Sequence, residues 1–373
     1  MIGEIVEVNQ ERRSQWLLPS AARVVPREAM RYLLPVDPTA TWRQGDLILG
    51  RVEGTVGLIK AVQNVNRSAG LDYRETALFP GSVTVAVLAP RAGTSTCIAQ
   101  VPSAPVTGLH LHGVGGQAGL IMPNSHHRDL YRDPPTVLRV LARLGGPDRR
   151  PLNTRDFGAR PSSVPRERTS RDPALILVVG SDMDDGKTTT ARRVIYSLRA
   201  FGHAVVAGKP VGVGSLGDVT SMYDAGASEV LEFSALGEPV TIGLPQERVL
   251  EIFHQIFNYL RERVPAGGFV VLELADGIWY RETRFILQDE RARNLVSHVV
   301  FACRGILDAE RGIELLSRWG YEDKLRAISG RLGSSGALRE FAPEFISPRL
   351  PVFDSLDYSG SPAPIVALFT PPE

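Results

Sequence analysis

Residues 180–189 read GSDMDDGKTT, a loop sequence with a glycine at each end of an acidic run, followed by lysine and threonine. Such a loop lets successive backbone N–H groups turn toward one anion, and a helix that begins there adds the positive end of its dipole. The sequence therefore predicts a phosphate-binding loop, with Lys187 against the β- and γ-phosphates of a nucleotide and the Thr188 hydroxyl on Mg²⁺. An ordinary strand-to-helix turn with a surface lysine is the alternative.

The loop departs from the pattern G-x-x-x-x-G-K-[ST], because five residues instead of four separate Gly180 from Gly186. It also holds three aspartates, whose negative charge would repel a polyphosphate. We expect the aspartates to point to solvent, or to hold the metal or an amine substrate. The loop residues predicted to bind the nucleotide are Asp182, Met183, Asp184, Asp185, Gly186, Lys187, Thr188 and Thr189.

Two further chemically active side chains end predicted strands. Lys209 follows the apolar run 204–207, at the carboxyl end of a strand, where ligands of open α/β sheets bind. Glu273 lies near the end of the apolar run 268–274, where an unpaired carboxylate is costly to bury and a Mg²⁺ ion would balance it. A solvated lysine and a structural hydrogen bond are the respective alternatives.

The segment between these strands contains Asp218 and Asp224, either of which is predicted as the other carboxylate at the metal. The predicted metal ligands are thus Thr188, Asp218, Asp224 and Glu273. The predicted catalytic residues are Lys187 and Lys209.

These residues need elements that hold them in place. The run 175–179 is short and β-branched, as in a buried parallel strand, and apolar or small residues at 191, 194, 195 and 198 have helical spacing. Further strands are predicted at 294–302, 325–329 and 350–353, with helices at 247–263 and 309–319. Alternating strands and helices predict an α/β domain with a mostly parallel sheet covered on both faces.

The chain before this domain has a different pattern. Residues 1–146 contain short apolar runs separated by Pro and Gly, which predict a smaller β-rich domain, a barrel or a sandwich. Within it, 136–144 has apolar residues at helical spacing and is predicted as a short amphipathic helix. Residues 147–173 are rich in Pro, Arg and Ser and are predicted as a linker, so the nucleotide-binding domain would span 174–373.

Histidines of the β-rich domain suggest a second, weaker site. His110 and His112 would lie on one face of a strand, as two metal ligands do, and His126 and His127 follow. Asp129 and Asp133 are the nearest carboxylates. Solvated loop histidines, or contacts to the second domain, are the favoured interpretations.

The order of motifs resembles dethiobiotin synthetase over roughly residues 174–355. The shared features are the G-S-D-M-D-D-G-K-T loop with its five-residue gap, Lys209-Pro210-Val211, an aspartate shortly afterward, and Glu273 before Ala275-Asp276-Gly277. The segment 217–229 is also similar to the uncharacterised DUF1611 group of P-loop proteins. The departures at Met183-Asp184 and 274–277 imply a different substrate pocket.

The resemblance implies ATP on the loop, Mg²⁺ held by Thr188, Asp224 and Glu273, and Lys209 facing the acceptor and the transferred phosphoryl group. It also implies contacts from Arg331, Ser334 and Ser335 to the base or ribose. A homodimer that completes the site across its interface is common among such proteins.

Composition restricts the class of protein further. The chain has 373 residues, enough for two domains, a net charge of +1 and 22% charged residues, which does not indicate a nucleic-acid-binding surface but leaves room for a local basic groove. No apolar run approaches the roughly 18–20 residues that cross a bilayer, and the first residues lack the apolar core of a signal peptide. Cys97 and Cys303 have no metal or redox spacing. We expect a soluble, reduced, cytoplasmic protein without a membrane partner.

The leading hypothesis is an ATP- and Mg²⁺-dependent enzyme, a kinase or ligase, that phosphorylates or activates a small carboxylate-type acceptor. The first alternative is a nucleotide-dependent switch or assembly ATPase with the β-rich domain as its partner-binding module. The second alternative is a kinase acting on polynucleotide ends.

Overall fold

The computed structural model describes residues 4–37, 39–54, 56–62, 73–94, 96–123, 125, 136–167, 169, 172–347 and 350–370. The chain divides into two compact units. The first comprises residues 1–160 together with two later segments, 213–216 and 233–243, and the second comprises the rest of the chain.

The first unit is built mainly of strands. Its strands are β1 (Val6–Glu7), β2 (Tyr32–Leu34), β3 (Leu47–Glu53), β4 (Gly57–Val62), β5 (Tyr73–Leu78), β6 (Val83–Leu88), β7 (Arg91–Ala92), β8 (Ile98–Gln100), β9 (Gly108–Leu111), β10 (Gln117–Ile121) and β11 (Val137–Gly145). Among its described residues, the helical elements are α1 (Gln10–Ser14) and the 3₁₀ turns at Ser20–Ala22, Arg27–Ala29, Thr154–Asp156 and Phe233–Leu236.

Five of these strands close into a ring. β11 pairs with β3, β3 with β6, β6 with β10, β10 with β9, and β9 returns to β11. The pairing of β6 with β10 is parallel and the other four are antiparallel. Closure gives each of the five strands a partner on both sides, which is how a small barrel removes open edges. The β-rich character predicted for this part of the chain is confirmed.

Alternation along the strands divides the core of the first unit in two. In β3, Ile48 and Val52 belong to one apolar cluster while Leu47 and Leu49 belong to another. The period of two explains this, since successive side chains of a strand point to opposite faces.

The prediction of a helix at 136–144 is wrong, because these residues form β11. The burial pattern of the strand alternates up to Val140, where the register with β3 shifts, and residues Ala142 and Leu144 then face the other cluster. The bulge inserts one residue, and the resulting apolar spacing imitates the spacing of a helix.

The second unit contains an open sheet of six strands. They are β12 (Ala174–Gly180), β13 (Val205–Val211), β14 (Val230–Glu232), β15 (Phe269–Leu274), β16 (Val296–Ala302) and β17 (Leu325–Ser329). The order is β14-β13-β15-β12-β16-β17, and each neighbouring pair is parallel. The strand that precedes the predicted phosphate loop, β12, is therefore central. The short strand predicted at 350–353 is only an isolated bridge between Ile328 and Val352.

Helices connect these strands. They are α2 (Lys187–Ala200), α3 (Gly217–Asp224), α4 (Gln246–Arg261), α5 (Arg281–Gln288), α6 (Glu290–Leu295), α7 (Ile306–Arg318), α8 (Arg331–Ser334), α9 (Gly336–Phe341) and α10 (Ala363–Val366), with 3₁₀ turns at Glu322–Lys324 and Ala342–Glu344. Within the described residues, no helix combines the length and the hydropathy needed to span a membrane.

The division of the chain differs from the predicted one in two respects. The predicted linker 147–173 is split at residue 160, and its second part is held on α4, where the Asn258 side chain donates to the carbonyls of Ser162 and Val164 at 2.9 and 3.0 Å. The segments 213–216 and 233–243, which lie within the predicted second domain, belong to the first unit in the structure. Neither segment carries a composition signal that would separate it from its neighbours in sequence.

Candidate phosphate and metal site

The loop between β12 and α2 is shaped by glycines at both of its ends. Gly186, which precedes α2, has φ of +92°, a conformation that favours glycine. At the other end, a Cβ atom on Gly180 would lie 2.7 Å from the Lys187 side chain, so glycine there leaves room for the lysine to fold back. The Lys187 ammonium donates a hydrogen bond to the main-chain carbonyl of Asp182. Burial lowers the pKa of Lys187, against the opposing effect of the Glu273 carboxylate.

One aspartate of the loop, Asp185, stabilises the loop through hydrogen bonds to its other residues. The buried Asp185 carboxylate accepts hydrogen bonds from the Ser181 hydroxyl and the Asp182 N–H, and the Arg304 guanidinium donates to it at 2.6 Å. Arg304 also donates to the Met183 carbonyl at 2.5 Å. Asp185 therefore does not point to solvent, because it is buried and both of its oxygens contact the loop or Arg304. Its predicted role in holding the nucleotide, a metal or an amine stays a prediction.

The other two aspartates are placed differently. Asp184 is exposed and has φ of +59°, and its carbonyl accepts from Arg331 Nε at 2.6 Å. Asp182 is half-buried, and its carboxylate accepts from the Met183 N–H at 2.7 Å.

Four predicted side chains converge at the carboxyl end of the sheet, beside the first turn of α2. The Thr188 hydroxyl lies 3.2 Å from Asp218 Oδ1 and 3.1 Å from Glu273 Oε1. The Lys209 ammonium forms an ion pair with Asp218 and lies 3.9 Å from Glu273 Oε1. Lys209 and Glu273 are buried, whereas the Asp218 side chain is about a third exposed.

The electrostatics of this cluster follow from burial and from the two carboxylates. Burial raises the pKa of Glu273 to about 7, and the nearby Asp218 carboxylate adds to the rise. Burial acts to lower the pKa of Lys209, but the Asp218 and Glu273 carboxylates outweigh it and leave that pKa raised.

This donor set fits Mg²⁺. A hydroxyl and two carboxylates are the hard oxygen ligands that the ion prefers. The single hydrogen of the Thr188 hydroxyl can satisfy only one of the two carboxylate oxygens near it. Glu273 Oε2 is buried and has no hydrogen-bond partner among the described residues. A cation at this point would interact with the carboxylate oxygen that the Thr188 hydrogen cannot reach and with the Glu273 carboxylate, whose Oε2 lacks a partner among the described residues.

The remaining predicted ligands lie elsewhere. Asp224 is exposed at the last residue of α3 and is not brought to Thr188 as Asp218 is. Arg331 begins α8 and, besides its side-chain contact, donates its N–H to the Asp185 carbonyl at 3.1 Å. Ser334 donates to Asp354 at 2.8 Å, and Ser335 caps α9. Thr189 is half-buried in the first turn of α2.

The histidine site gains no support from the described residues. The His112 ring is buried against the Ala89 carbonyl at 3.0 Å, and burial lowers its pKa to about 3. Among the described residues, no group of three or more His, Cys, Asp or Glu side chains is placed to hold a metal. His126, His127, Asp129 and Asp133 lie outside the described residues.

Sequence reasoning missed Arg304. It is the second residue after β16 and contacts the phosphate loop through Asp185, but its position in FACRG gives no local signal. Only the parallel pairing of β12 with β16 brings it to the loop.

No protein-family profile matches the chain, and no curated protein matches it. Solved structures match parts of the chain at low similarity. A ParA family ATPase from Chlorobium tepidum matches at 11% identity and TM-score 0.32, over 49% of this chain and 83% of that one. Chloroplast FtsY from Physcomitrella patens matches at 16% identity and TM-score 0.32, over 57% and 70%. The signal recognition particle 54 kDa protein from Aeropyrum pernix in complex with GDP matches at 21% identity and TM-score 0.34, over 55% and 47%.

All three TM-scores lie below 0.5, so the class of the protein rests on its own geometry. A parallel sheet whose central strand leads into a Gly-Lys-Thr loop and a helix is the P-loop NTPase fold. The second unit therefore has the P-loop NTPase fold, and the smaller first unit is β-rich. The resemblance to dethiobiotin synthetase is not confirmed by these comparisons.

Proposed function

We propose that the second unit binds a nucleoside triphosphate together with Mg²⁺, with ATP as the expected nucleotide, and hydrolyses it as a nucleotide-dependent switch. The observation that carries the proposal is the convergence of Thr188, Lys209, Asp218 and Glu273 beside the loop that holds Lys187. Phosphoryl transfer needs little covalent help from a protein, because positioned cations and fixed amides neutralise the developing charge.

Each side chain of the cluster has a role in this proposal. Lys187 and the N–H groups at the start of α2 bind the phosphates. Thr188, Asp218 and Glu273 would hold Mg²⁺, which supplies positive charge between phosphate oxygens. Lys209 neutralises the charge on the γ-phosphate.

The ion pair between Lys209 and Asp218 supports a switch rather than a static site. Lys209 pairs with Asp218 Oδ2, whereas Thr188 lies near Asp218 Oδ1, so a metal on Asp218 and a phosphate on Lys209 would each compete with this ion pair. We expect nucleotide binding to exchange these partners. Asp218 is the second residue of α3, so the exchange changes the position of the start of that helix. Two arrangements with different partners are what a nucleotide switch requires.

Calorimetric titration with ATP and GTP, with and without Mg²⁺, tests this proposal. Lys187→Ala is expected to abolish nucleotide binding while the circular dichroism spectrum is unchanged. Lys324→Ala is the matched control, because Lys324 donates to the Arg293 carbonyl at 2.6 Å outside the cluster. Nucleotide affinity equal to that of the unmodified protein in Lys187→Ala would rule the site out.

A second candidate function is phosphoryl transfer to a small acceptor, as the resemblance implies. A cavity of about 480 Å³ bordered by Ser181 and Asp182 of the loop favours it, because an acceptor there would lie next to the phosphate site. Formation of ADP together with an equal amount of phosphorylated metabolite, rather than inorganic phosphate, would distinguish transfer from a switch. The polynucleotide-end kinase and the homodimer remain predictions from the sequence.

A further inference from the structure

The cavity beside the phosphate loop has the size and lining of a ligand site. Its volume of about 480 Å³ is within the range of small-molecule pockets, roughly 300–1,000 Å³. It lies within the second unit, where the end of β12, the segment after β15 and the helix α7 meet. The lining residues that bear on a ligand are Asp182, Trp279, Phe301, Arg304, Asp308 and Arg311.

One side of the cavity is apolar and fixed in shape. The buried Phe301 ring reaches it because α7 carries glycine at 312, where a Cβ atom would lie 2.1 Å from that ring. The main chain of Ile278 is anchored by its N–H, which donates to the Gly180 carbonyl at 2.8 Å. Trp279 packs on Tyr280 with ring centroids 4.1 Å apart, and yet it is 48% exposed. A half-exposed indole beside an apolar wall is a surface on which a flat or branched apolar group can stack.

The rim of the cavity carries charges of both signs. Arg304 uses Nε and Nη2 to hold the phosphate loop, which leaves Nη1 as the nitrogen that these bonds do not use. Arg311 is exposed on α7, where it pairs with Glu314. Asp182 and Asp308 are the acidic members of the lining. An ion of a single sign would meet repulsion as well as attraction here, whereas a molecule with both charges finds partners for both.

We infer that this cavity binds a small zwitterion with an apolar body, such as a free amino acid with an aromatic or branched side chain. Its carboxylate faces Arg304 and Arg311, its ammonium faces Asp182 and Asp308, and its side chain lies against Trp279 and Phe301. The cavity adjoins the phosphate loop, because Asp182, which lines the cavity, also accepts a hydrogen bond from the Lys187 ammonium through its main-chain carbonyl. A role of this ligand as phosphoryl acceptor rests on the second candidate function, but its binding does not.

Calorimetry with three probes tests the inference: L-phenylalanine, 3-phenylpropionate, which lacks the ammonium, and 2-phenylethylamine, which lacks the carboxylate. L-phenylalanine is expected to bind, and each analogue to bind at least about tenfold more weakly, since each analogue lacks one of the two charged groups that form hydrogen bonds. L-phenylalanine is also expected to alter the fluorescence of the unmodified protein, and Trp279→Leu to abolish that change.

Arg311→Gln and Arg318→Gln form a matched pair, because both arginines lie on α7, pair with Glu314 and are similarly exposed, at 58% and 61%. Only Arg311 lines the cavity. Arg311→Gln is expected to weaken L-phenylalanine binding about tenfold and to leave 2-phenylethylamine unchanged, while Arg318→Gln changes neither.

Two results would overturn the inference: absence of binding of L-phenylalanine and L-leucine up to about 10 mM, or equal effects of the two arginine substitutions. Lys187→Ala separates this inference from the proposed nucleotide function. If that variant loses ATP but keeps L-phenylalanine, the two sites are independent, and if the unmodified protein binds L-phenylalanine but never ATP, only the nucleotide proposal fails.

Discussion

At the scale of single residues, the pairing of Lys209 with Asp218 decides how the site responds to a metal. The ammonium occupies the position from which it neutralises two carboxylates, one of them buried. Mg²⁺ and Lys209 therefore compete for the same negative charge, and the affinity for the ion depends on how readily the lysine leaves.

Lys209→Met removes this competitor while keeping most of the side-chain volume. We expect the Mg²⁺ concentration for half-maximal nucleotide binding to fall by about tenfold, because the carboxylates lose their protein cation. The rate of ATP hydrolysis is expected to fall by about 10²–10³-fold, because the γ-phosphate loses a positive charge. Mg²⁺ titrations of binding and of hydrolysis measure both effects, with Lys324→Met as the control. Weaker Mg²⁺ binding in Lys209→Met would contradict the competition.

His112 should make the first unit sensitive to acid. Burial, with a smaller effect of Arg91, lowers the pKa of the folded-state imidazole from 6.5 to about 3. Between these values the unfolded chain binds a proton that the folded chain does not, so the free energy of unfolding falls as the pH falls, by up to about 1.4 kcal/mol per pH unit. The loss begins near pH 6.5.

Hydrogen exchange of amides in β9 and β10 at pH 7.5 and 5.5 measures this effect. The unmodified protein is expected to lose about 1 kcal/mol more than His112→Gln between these pH values, since glutamine keeps a donor for the Ala89 carbonyl but does not titrate. Equal losses in the two proteins would show that His112 is not the sensitive group.

At the scale of elements, the phosphate loop is supported from outside by the turn between β17 and α8. Gly330 in this turn has φ of +83°, and a Cβ atom there would lie 2.3 Å from the Asp185 carbonyl. The next N–H, of Arg331, donates to the same carbonyl. The loop is thus held by Arg304, through Asp185 and Met183, and by this turn, through the Asp185 carbonyl.

Gly330→Ala is expected to force the turn away from the loop. The strained φ and the close contact should cost about 1–3 kcal/mol of the free energy of unfolding, and ATP affinity should fall with it. Gly336→Ala is the control, because its Cβ meets nothing within 4 Å at the start of α9. Denaturant titration and calorimetry give the two quantities. ATP affinity that stays constant in Gly330→Ala would separate this turn from the site.

The elements that sequence predicts well are those whose pattern is local. The strand β12, the loop glycines and Lys187 follow from a continuous apolar run and from the geometry of phosphate binding. Lys209 and Glu273 follow from their positions near strand ends. By contrast, β11 was predicted as a helix, because a bulge changes its apolar period and only its partners on both sides fix it as a strand. Arg304 and the role of Asp185 depend on strand order, which the local sequence does not contain.

At the scale of the whole molecule, two short segments that follow β13 and β14 in sequence are part of the first unit. The buried Gln117 amide donates to the carbonyls of Gly214 and Pro239 at 2.5 and 3.1 Å. Thr154 donates to the Gly237 carbonyl at 2.7 Å, and Gln44 to the Val240 carbonyl at 2.8 Å. The stretch of chain from Lys209 to Asp218 therefore includes residues 213–216, which belong to the first unit.

Gln117→Leu tests whether the hydrogen bonding of segment 213–216 to Gln117 affects the phosphate and metal site. The substitution leaves the two carbonyls without their donor, which should cost about 1–3 kcal/mol of the free energy of unfolding of the first unit. Because 213–216 joins Lys209 to Asp218 along the chain, we expect hydrolysis to slow more than ATP binding weakens. Gln117→Glu, titrated with pH, restores a donor only when protonated and should recover the rate at low pH. A rate and an affinity that are both unchanged would exclude any effect through this segment.

The two late segments also affect the order in which the protein is completed during synthesis. When residue 160 leaves the ribosome, Gln117, Thr154 and Gln44 still lack the carbonyls that they bind, because these come from residues 214, 237, 239 and 240. By the time residue 243 has emerged, β12, α2 and β13 have been made as well. The amino-terminal unit, although translated first, acquires its last hydrogen bonds only after the phosphate loop exists, contrary to the usual sequence in which domains finish one after another from the amino terminus.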